Sequence, residues 1–261
     1  YKKINNSSIF MNLYLFLMLN YKDKIDYRLF LNHNNNNNIY LSHIYLEWLL
    51  DIYIMYLNGD KYNYSIINNL LHTNNFNLYN PICSNIYFQT TYLSLELSKN
   101  IRTKINNNIQ KIWKQKNITI NNKPKKLNGK YKLLIITNIR DITENVVYKF
   151  IKYQIKLLGD IFEIDVGLIQ KNIEKNTKQL IESKCEIKVN NIFTIQLSES
   201  PVIFYESNDY SNYKNIDKII NNEYLSVFFT VIGCELDSIL LSNLKIAPIQ
   251  FSSYGHPTSS F

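Results

Sequence analysis

Apolar residues in the first half of the chain recur every three to four positions, whereas in the second half they gather into short runs separated by longer amphipathic stretches. The helical spacing is clearest over Leu41 to Leu57, where Ile44, Trp48, Leu49, Ile52, Met55 and Tyr56 share one face, with Ser42 as N-cap and Gly59 as stop. Shorter helices are predicted over Ile9 to Leu19, Lys24 to Leu31, Ser65 to His72, Phe88 to Ser98 and Ile101 to Trp113. The uncharged run Asn34 to Asn38 reads as a solvated loop. Near Lys123-Pro124-Lys125-Lys126-Leu127-Asn128-Gly129 the helical pattern stops, and the apolar run Leu133 to Ile136 follows. The expected organisation is therefore an all-helical domain over residues 1–125 and a Rossmann-like domain over residues 130–261.

Beyond that boundary, strands are predicted over Lys132 to Asn138, Ile161 to Leu168, Ile192 to Gln196, Val202 to Tyr205, Ser226 to Thr230 and Ile249 to Ser252. Helices are predicted over Thr143 to Leu158, Asn172 to Ser183, Tyr213 to Asn222 and Glu235 to Asn243. Strands apolar on both faces and separated by helices argue for an α/β fold with a parallel sheet covered on both sides. Ligands of such sheets sit beyond the carboxyl ends of the strands. The informative loops are then Asn138 to Ile142, Glu206 to Tyr210, Val231 to Glu235 and Ser253 to Phe261.

Composition narrows this picture. With 261 residues, 46% of them hydrophobic, the chain can bury a core in each of two domains, which excludes wholesale disorder. The net charge of +8 is concentrated between Lys111 and Lys132. This stretch permits a phosphate or nucleic-acid partner, but reads more simply as a solvated linker, so no nucleic acid is expected. Cys83, Cys185 and Cys234 form no C-x-x-C pair, which excludes a cysteine zinc site and a disulfide framework and fits a reducing, cytoplasmic setting. His33, His43 and His72 lack metal-ligand spacing, and no metal or cofactor is implied. Ile9 to Leu19 is about half the roughly 20 residues a membrane span needs, so no span is expected. The start at Tyr1 and the stop at Phe261, after a turn-rich segment, suggest a chain cut at both ends.

The segment richest in candidate chemistry is the last. After the predicted helix, Pro248 prevents continuation, a short strand follows, and Gly255-His256-Pro257 makes a tight turn at its carboxyl end. That turn presents an imidazole and the hydroxyls of Thr258, Ser259 and Ser260 at the ligand-facing rim. Ala247-Pro248-Ile249-Gln250, followed by this turn and small hydroxyl residues, resembles the O-GlcNAc transferase family. It is most similar to the cytoplasmic bacterial protein glycosyltransferases that modify high-molecular-weight adhesins. The stretch Val231-Ile232-Gly233-Cys234-Glu235-Leu236-Asp237 leading into it is similar to the same branch.

The resemblance implies the front part of a two-domain GT-B enzyme, truncated before its nucleotide-binding half and inactive alone. Such an enzyme moves a hexose or N-acetylhexosamine from a UDP-sugar to a protein side chain without a metal. It implies a catalytic role for His256 and substrate contacts from Gly255, Pro257, Thr258, Ser259 and Gly233. Relatives carry a histidine in the loop after the first strand, where this chain has Asn138-Ile139-Arg140-Asp141-Ile142. Glu235 and Asp237 suit the first turn of a helix better than an anion site, and neither Glu235-Leu236-Asp237 nor Glu163-Ile164-Asp165 reads as an acidic metal motif. A non-catalytic protein-interaction module derived from such an enzyme is the alternative.

Overall fold

The apolar runs of the second half become strands of one parallel sheet. The computed structural model describes residues 87, 95–144, 146–170, 172–197, 213, 215–232 and 236–252, all within the compact unit Glu47–Phe261. Helices expected before Tyr87 and the strand expected over Val202 to Tyr205 lie outside the described residues. The strands are β1 (Asn121–Asn122), β2 (Lys126–Leu127), β3 (Lys130–Thr137), β4 (Glu163–Ile169), β5 (Val189–Ile195), β6 (Asn221–Asn222), β7 (Tyr224–Phe229) and β8 (Ile249–Ser252). The helices are α1 (Leu95–Gln115), α2 (Ile139–Thr143), α3 (Val146–Ile161), α4 (Thr177–Cys185), α5 (Asp217–Ile220) and α6 (Leu236–Ser242).

The main sheet runs β5-β4-β3-β7-β8, every neighbouring pair parallel, with β2 added antiparallel at the start of β3. Counting only the parallel strands in chain order, this is 3-2-1-4-5, the doubly wound arrangement. The α/β class with a parallel sheet is thus observed. Of the all-helical domain expected over residues 1–125, the described residues contain only Tyr87 and α1 as helix.

Register assigns the two faces. Leu133 and Ile135 pair with Ile164 and Val166, and with α2, α3 and α4 they enclose a core that includes Ile142, Ile151, Ile155, Leu168, Ile181, Cys185 and Phe228. Leu134, Ile136, Gly167, Val227 and Phe229 fall on the opposite face; β7 pairs there as Leu134↔Val227 and Ile136↔Phe229. The large side chains of that face are buried as well, as a doubly covered sheet requires. A Cβ on Gly167 would lie 2.5 Å from Ile195 Cδ1, so glycine lets the strands carry bulky neighbours on this face.

Several elements depart from the predicted bounds for identifiable reasons. Helix α3 runs through Gly159 to Ile161, which the sequence assigns to a strand. Gly159 is no helix stop: a Cβ there would meet Ile187 Cγ2 at 2.8 Å, so the residue permits close packing. The helix predicted over Tyr213 to Asn222 shrinks to α5, because Asn221 and Asn222 pair in parallel with Asn121 and Asn122. The lysine-rich stretch is mostly exposed, with Lys116 buried, and is not a free linker. Its backbone donates from Lys123 N to Asn222 O (2.9 Å) and from Lys125 N to Glu223 O (3.0 Å). It then forms the β2–β3 hairpin, whose two turn residues, Asn128 (φ 52°) and Gly129 (φ 82°), both take the left-handed backbone that a tight hairpin turn demands. Helix α1 is fastened to α6 by Trp113 Nε1 donating to Leu240 O at 2.9 Å, and by Asn243 Nδ2 donating to Asn106 Oδ1 at 2.9 Å.

Candidate functional site

The strand order reverses between β3 and β7, so the connections leaving their carboxyl ends diverge there; this is where doubly wound sheets form their crevice. At that point the buried Thr230 donates from Oγ1 to Thr137 Oγ1 (2.7 Å), and Thr137 Oγ1 donates onward to Asn138 O (3.0 Å). Thr230 N donates to Ile136 O at 3.1 Å, which carries the β3–β7 ladder one step past the strands. Both hydroxyls are therefore spent on structure.

The loop after β3 turns at once into α2. Asn138 has extended backbone (φ −101°, ψ 162°), and its Oδ1 accepts from Asp141 N at 2.9 Å, a helix N-cap. Thr143 Oγ1 returns a bond to Ile139 O at 2.7 Å. Asp141 and Thr143 are buried while Arg140 is exposed, so this loop offers the rim a guanidinium. On the β7 side, Asp237 lies in the first turn of α6 as expected, and its Oδ2 accepts from Leu197 N at 3.4 Å, tying α6 to the chain just past β5.

Strand β8 brings the motif segment to the sheet. Ser252 pairs with Phe229, so β8 ends level with β7, one residue below Thr230. Ala247 is buried, and Pro248 sits just before the strand, where its missing N–H costs no ladder bond. Gln250 Oε1 accepts from Ile246 N (2.7 Å) and its Nε2 donates to Ser242 O (3.3 Å), so this side chain pins the α6–β8 connection. The sequence marked Gln250 only as part of a motif; its clamp is local and structural.

The six expected site residues, Gly233, Gly255, His256, Pro257, Thr258 and Ser259, lie outside the described residues, as does Cys234. All four histidines lie outside them too, so no described residue at the crevice has an imidazole. Among the described residues no group of acidic, histidine and cysteine side chains is arranged to hold a metal, and no helix is long and apolar enough to cross a membrane.

Two polar clusters lie away from this edge. Near the amino ends of the strands, the buried Asp165 accepts from Asn191 N (3.0 Å) and Nδ2 (3.1 Å) and from Tyr224 Oη (2.9 Å), with Lys132 Nζ at 3.9 Å. Burial, and then the neighbouring Asp165 carboxylate, push the Tyr224 phenol well above its ordinary range. Sequence reasoning treated Asp165 only as a rejected metal ligand. It is the acceptor of a buried network, a role that no local pattern encodes. The second cluster borders an open cleft of about 300 Å³ at the amino end of β8, lined by Gln110, Ser242, Asn243, Lys245, Pro248 and Gln250. Its amides are engaged with one another and with backbone, Gln110 Nε2 donating to Asn243 Oδ1 at 3.5 Å, and it lies at the rim opposite the crevice. No protein-family model matches the chain, and no curated protein matches it.

Proposed function

We propose that this chain is the acceptor-side part of a metal-independent protein glycosyltransferase, which moves a hexose or N-acetylhexosamine from a UDP-sugar to a side chain of an acceptor protein. The observation that carries the reading is β8. It holds the Ala247-Pro248-Ile249-Gln250 motif at the edge of a parallel 3-2-1-4-5 sheet and ends level with the switch-point strand β7. His256 is the fourth residue after Ser252, so covalent geometry alone keeps it within about 14 Å of that edge.

Sugar transfer breaks the bond from C1 to the diphosphate and forms one to the acceptor, through a transition state with oxocarbenium character. The chemistry needs a group that moves or holds a proton near neutral pH and donors that steady the departing diphosphate. In this reading His256 supplies the first, Thr258 and Ser259 orient the acceptor with Gly255, Pro257 and Gly233 leaving room for it, and Arg140 adds positive charge on the facing rim. The nucleotide contacts come from a following nucleotide-binding domain.

The test is transfer by the full-length gene product, with a panel of UDP-sugars and mass spectrometry of the modified peptide. His256→Ala is expected to lower turnover at least ~10-fold, the lower end of general acid-base effects being about 100-fold. Full turnover in that variant removes His256 from the chemistry, and no transfer from any donor favours the interaction module.

A further inference from the structure

We propose that Asn117 is itself a glycosylation site of this chain, taking one sugar on its side-chain nitrogen from a second copy of the enzyme; the inference rests on the transferase reading above. Asn117-Ile118-Thr119 has the spacing of asparagine, any residue but proline, then serine or threonine, and no other stretch whose three residues are described has it. The hydroxyl matters because a carboxamide nitrogen shares its lone pair with the carbonyl and is a weak nucleophile. Two residues on, a threonine can bond to that amide within one short turn.

Local structure presents the segment as an acceptor. Helix α1 ends at Gln115, and Asn117 takes the left-handed backbone (φ 54°) that asparagine tolerates, its N donating to Lys114 O at 3.1 Å. Residues 118 to 120 belong to neither helix nor strand, and Asn117 and Thr119 are both exposed. Among the described residues no hydrogen bond engages either side chain. A crevice can therefore draw the segment in without breaking a helix or a ladder, which it cannot do with Asn107 inside α1. Asn172 is exposed outside any helix or strand but has Glu174 two residues on, so it lacks the hydroxyl. The loop leads into β1, which pairs with β6 just before β7, at the amino end of the sheet. The six residues of β7 put about 20 Å between that end and the crevice, so Asn117 is offered to another copy's crevice rather than to its own. In the transfer the bond from C1 of the UDP-sugar to the diphosphate breaks and its electron pair leaves with UDP. Asn117 Nδ2 forms the new bond to C1 and gives up one proton.

The experiment incubates the full-length gene product with UDP-glucose or UDP-N-acetylglucosamine and maps its peptides by mass spectrometry, with a synthetic peptide copying residues 114–122 as a second acceptor. One sugar is expected on Asn117 and none on Asn172, with a rate per copy that rises in proportion to protein concentration. Thr119→Ala lowers occupancy at least ~10-fold, because a site shaped for a hydroxyl discriminates against its absence, and Thr119→Ser keeps it. Both changes lie on an exposed loop and leave transfer to the peptide intact. A modified peptide beside a bare Asn117 overturns the inference and leaves the transferase reading standing. Full occupancy in Thr119→Ala, a sugar on a serine or threonine of the segment instead, or a rate per copy independent of concentration overturns it as well. No transfer to protein or peptide defeats the transferase reading and this inference with it.

Discussion

Asp165→Asn keeps the shape of the side chain and reverses half of its hydrogen-bonding character. Every group facing Asp165 is a donor: Asn191 N and Nδ2, Tyr224 Oη and, at longer range, Lys132 Nζ. An amide NH₂ turned toward Asn191 meets two N–H groups. Turned toward Tyr224 it forces the phenol to accept, strands that phenol's proton and faces Lys132. The remaining bonds fall from the charge-assisted range of roughly 1.5–3 kcal/mol toward about 1 kcal/mol each, and one stranded buried donor adds about 1–3 kcal/mol. The sum is about 3 kcal/mol, at the lower end of what breaking a buried charged network costs. For a unit of this size that lowers the melting midpoint by roughly 6–12 °C. Urea unfolding followed by circular dichroism measures it directly, as a lower midpoint with an unchanged slope. A loss below about 1 kcal/mol would refute the claim that these donors require an acceptor on both oxygens of the side chain at 165. Tyr224→Phe, which leaves Asp165 Oδ2 with Lys132 Nζ at 3.9 Å in place of its hydrogen bond, should cost about 1–3 kcal/mol, and its effect should not add to that of Asp165→Asn.

Because the Tyr224 phenol ionises at higher pH in the folded chain than in the unfolded one, its contribution is complete below about pH 10 and fades as pH rises beyond that. Wild-type stability should therefore fall more steeply above pH 10 than that of Tyr224→Phe, as urea titrations at a series of alkaline pH values will show. Burial pushes the Cys185 thiol up to about 11, so at pH 8 a thiol reagent should spare it in the folded chain and modify it on unfolding, which peptide mapping can verify. Gly129→Ala places a side chain on a φ of +82° and should destabilise by about 1 kcal/mol even though the added methyl meets nothing, as measured by urea unfolding. Trp113→Phe removes the indole donor to Leu240 O, which keeps its bond from Asn243 N at 3.2 Å, and should cost about 0.5–1.5 kcal/mol; no change in the unfolding midpoint would show that the α1–α6 bond is dispensable.

The sheet was legible because burial on both faces leaves a signature within a few residues. Leu133 to Ile136 carries no polar position, and β8 was predicted with the bounds observed because Pro248 marks its start. Where prediction slipped, a distant partner decided. Asn221 and Asn222 extend a helix by local pattern, yet pair with Asn121 and Asn122 a hundred residues away. Gly159 carries the sign of a helix end, and only its distance to Ile187 reveals a packing role. The same limit governs the site. Sequence reasoning could indicate which loops reach the crevice, since topology follows from the order of elements. It could not see that Thr137 and Thr230 meet across ninety-three positions, or that Asp165 gathers donors from two other strands.

The Thr230–Thr137 bond has a mechanical consequence. It fastens the last residue of β3 to the residue just past β7, at the very mouth from which their connections depart, so β3 and β7 resist splaying like a hinge. Whatever ligand settles above them meets a firm seat, and among the described residues accommodation falls to the loop Asn138 to Asp141.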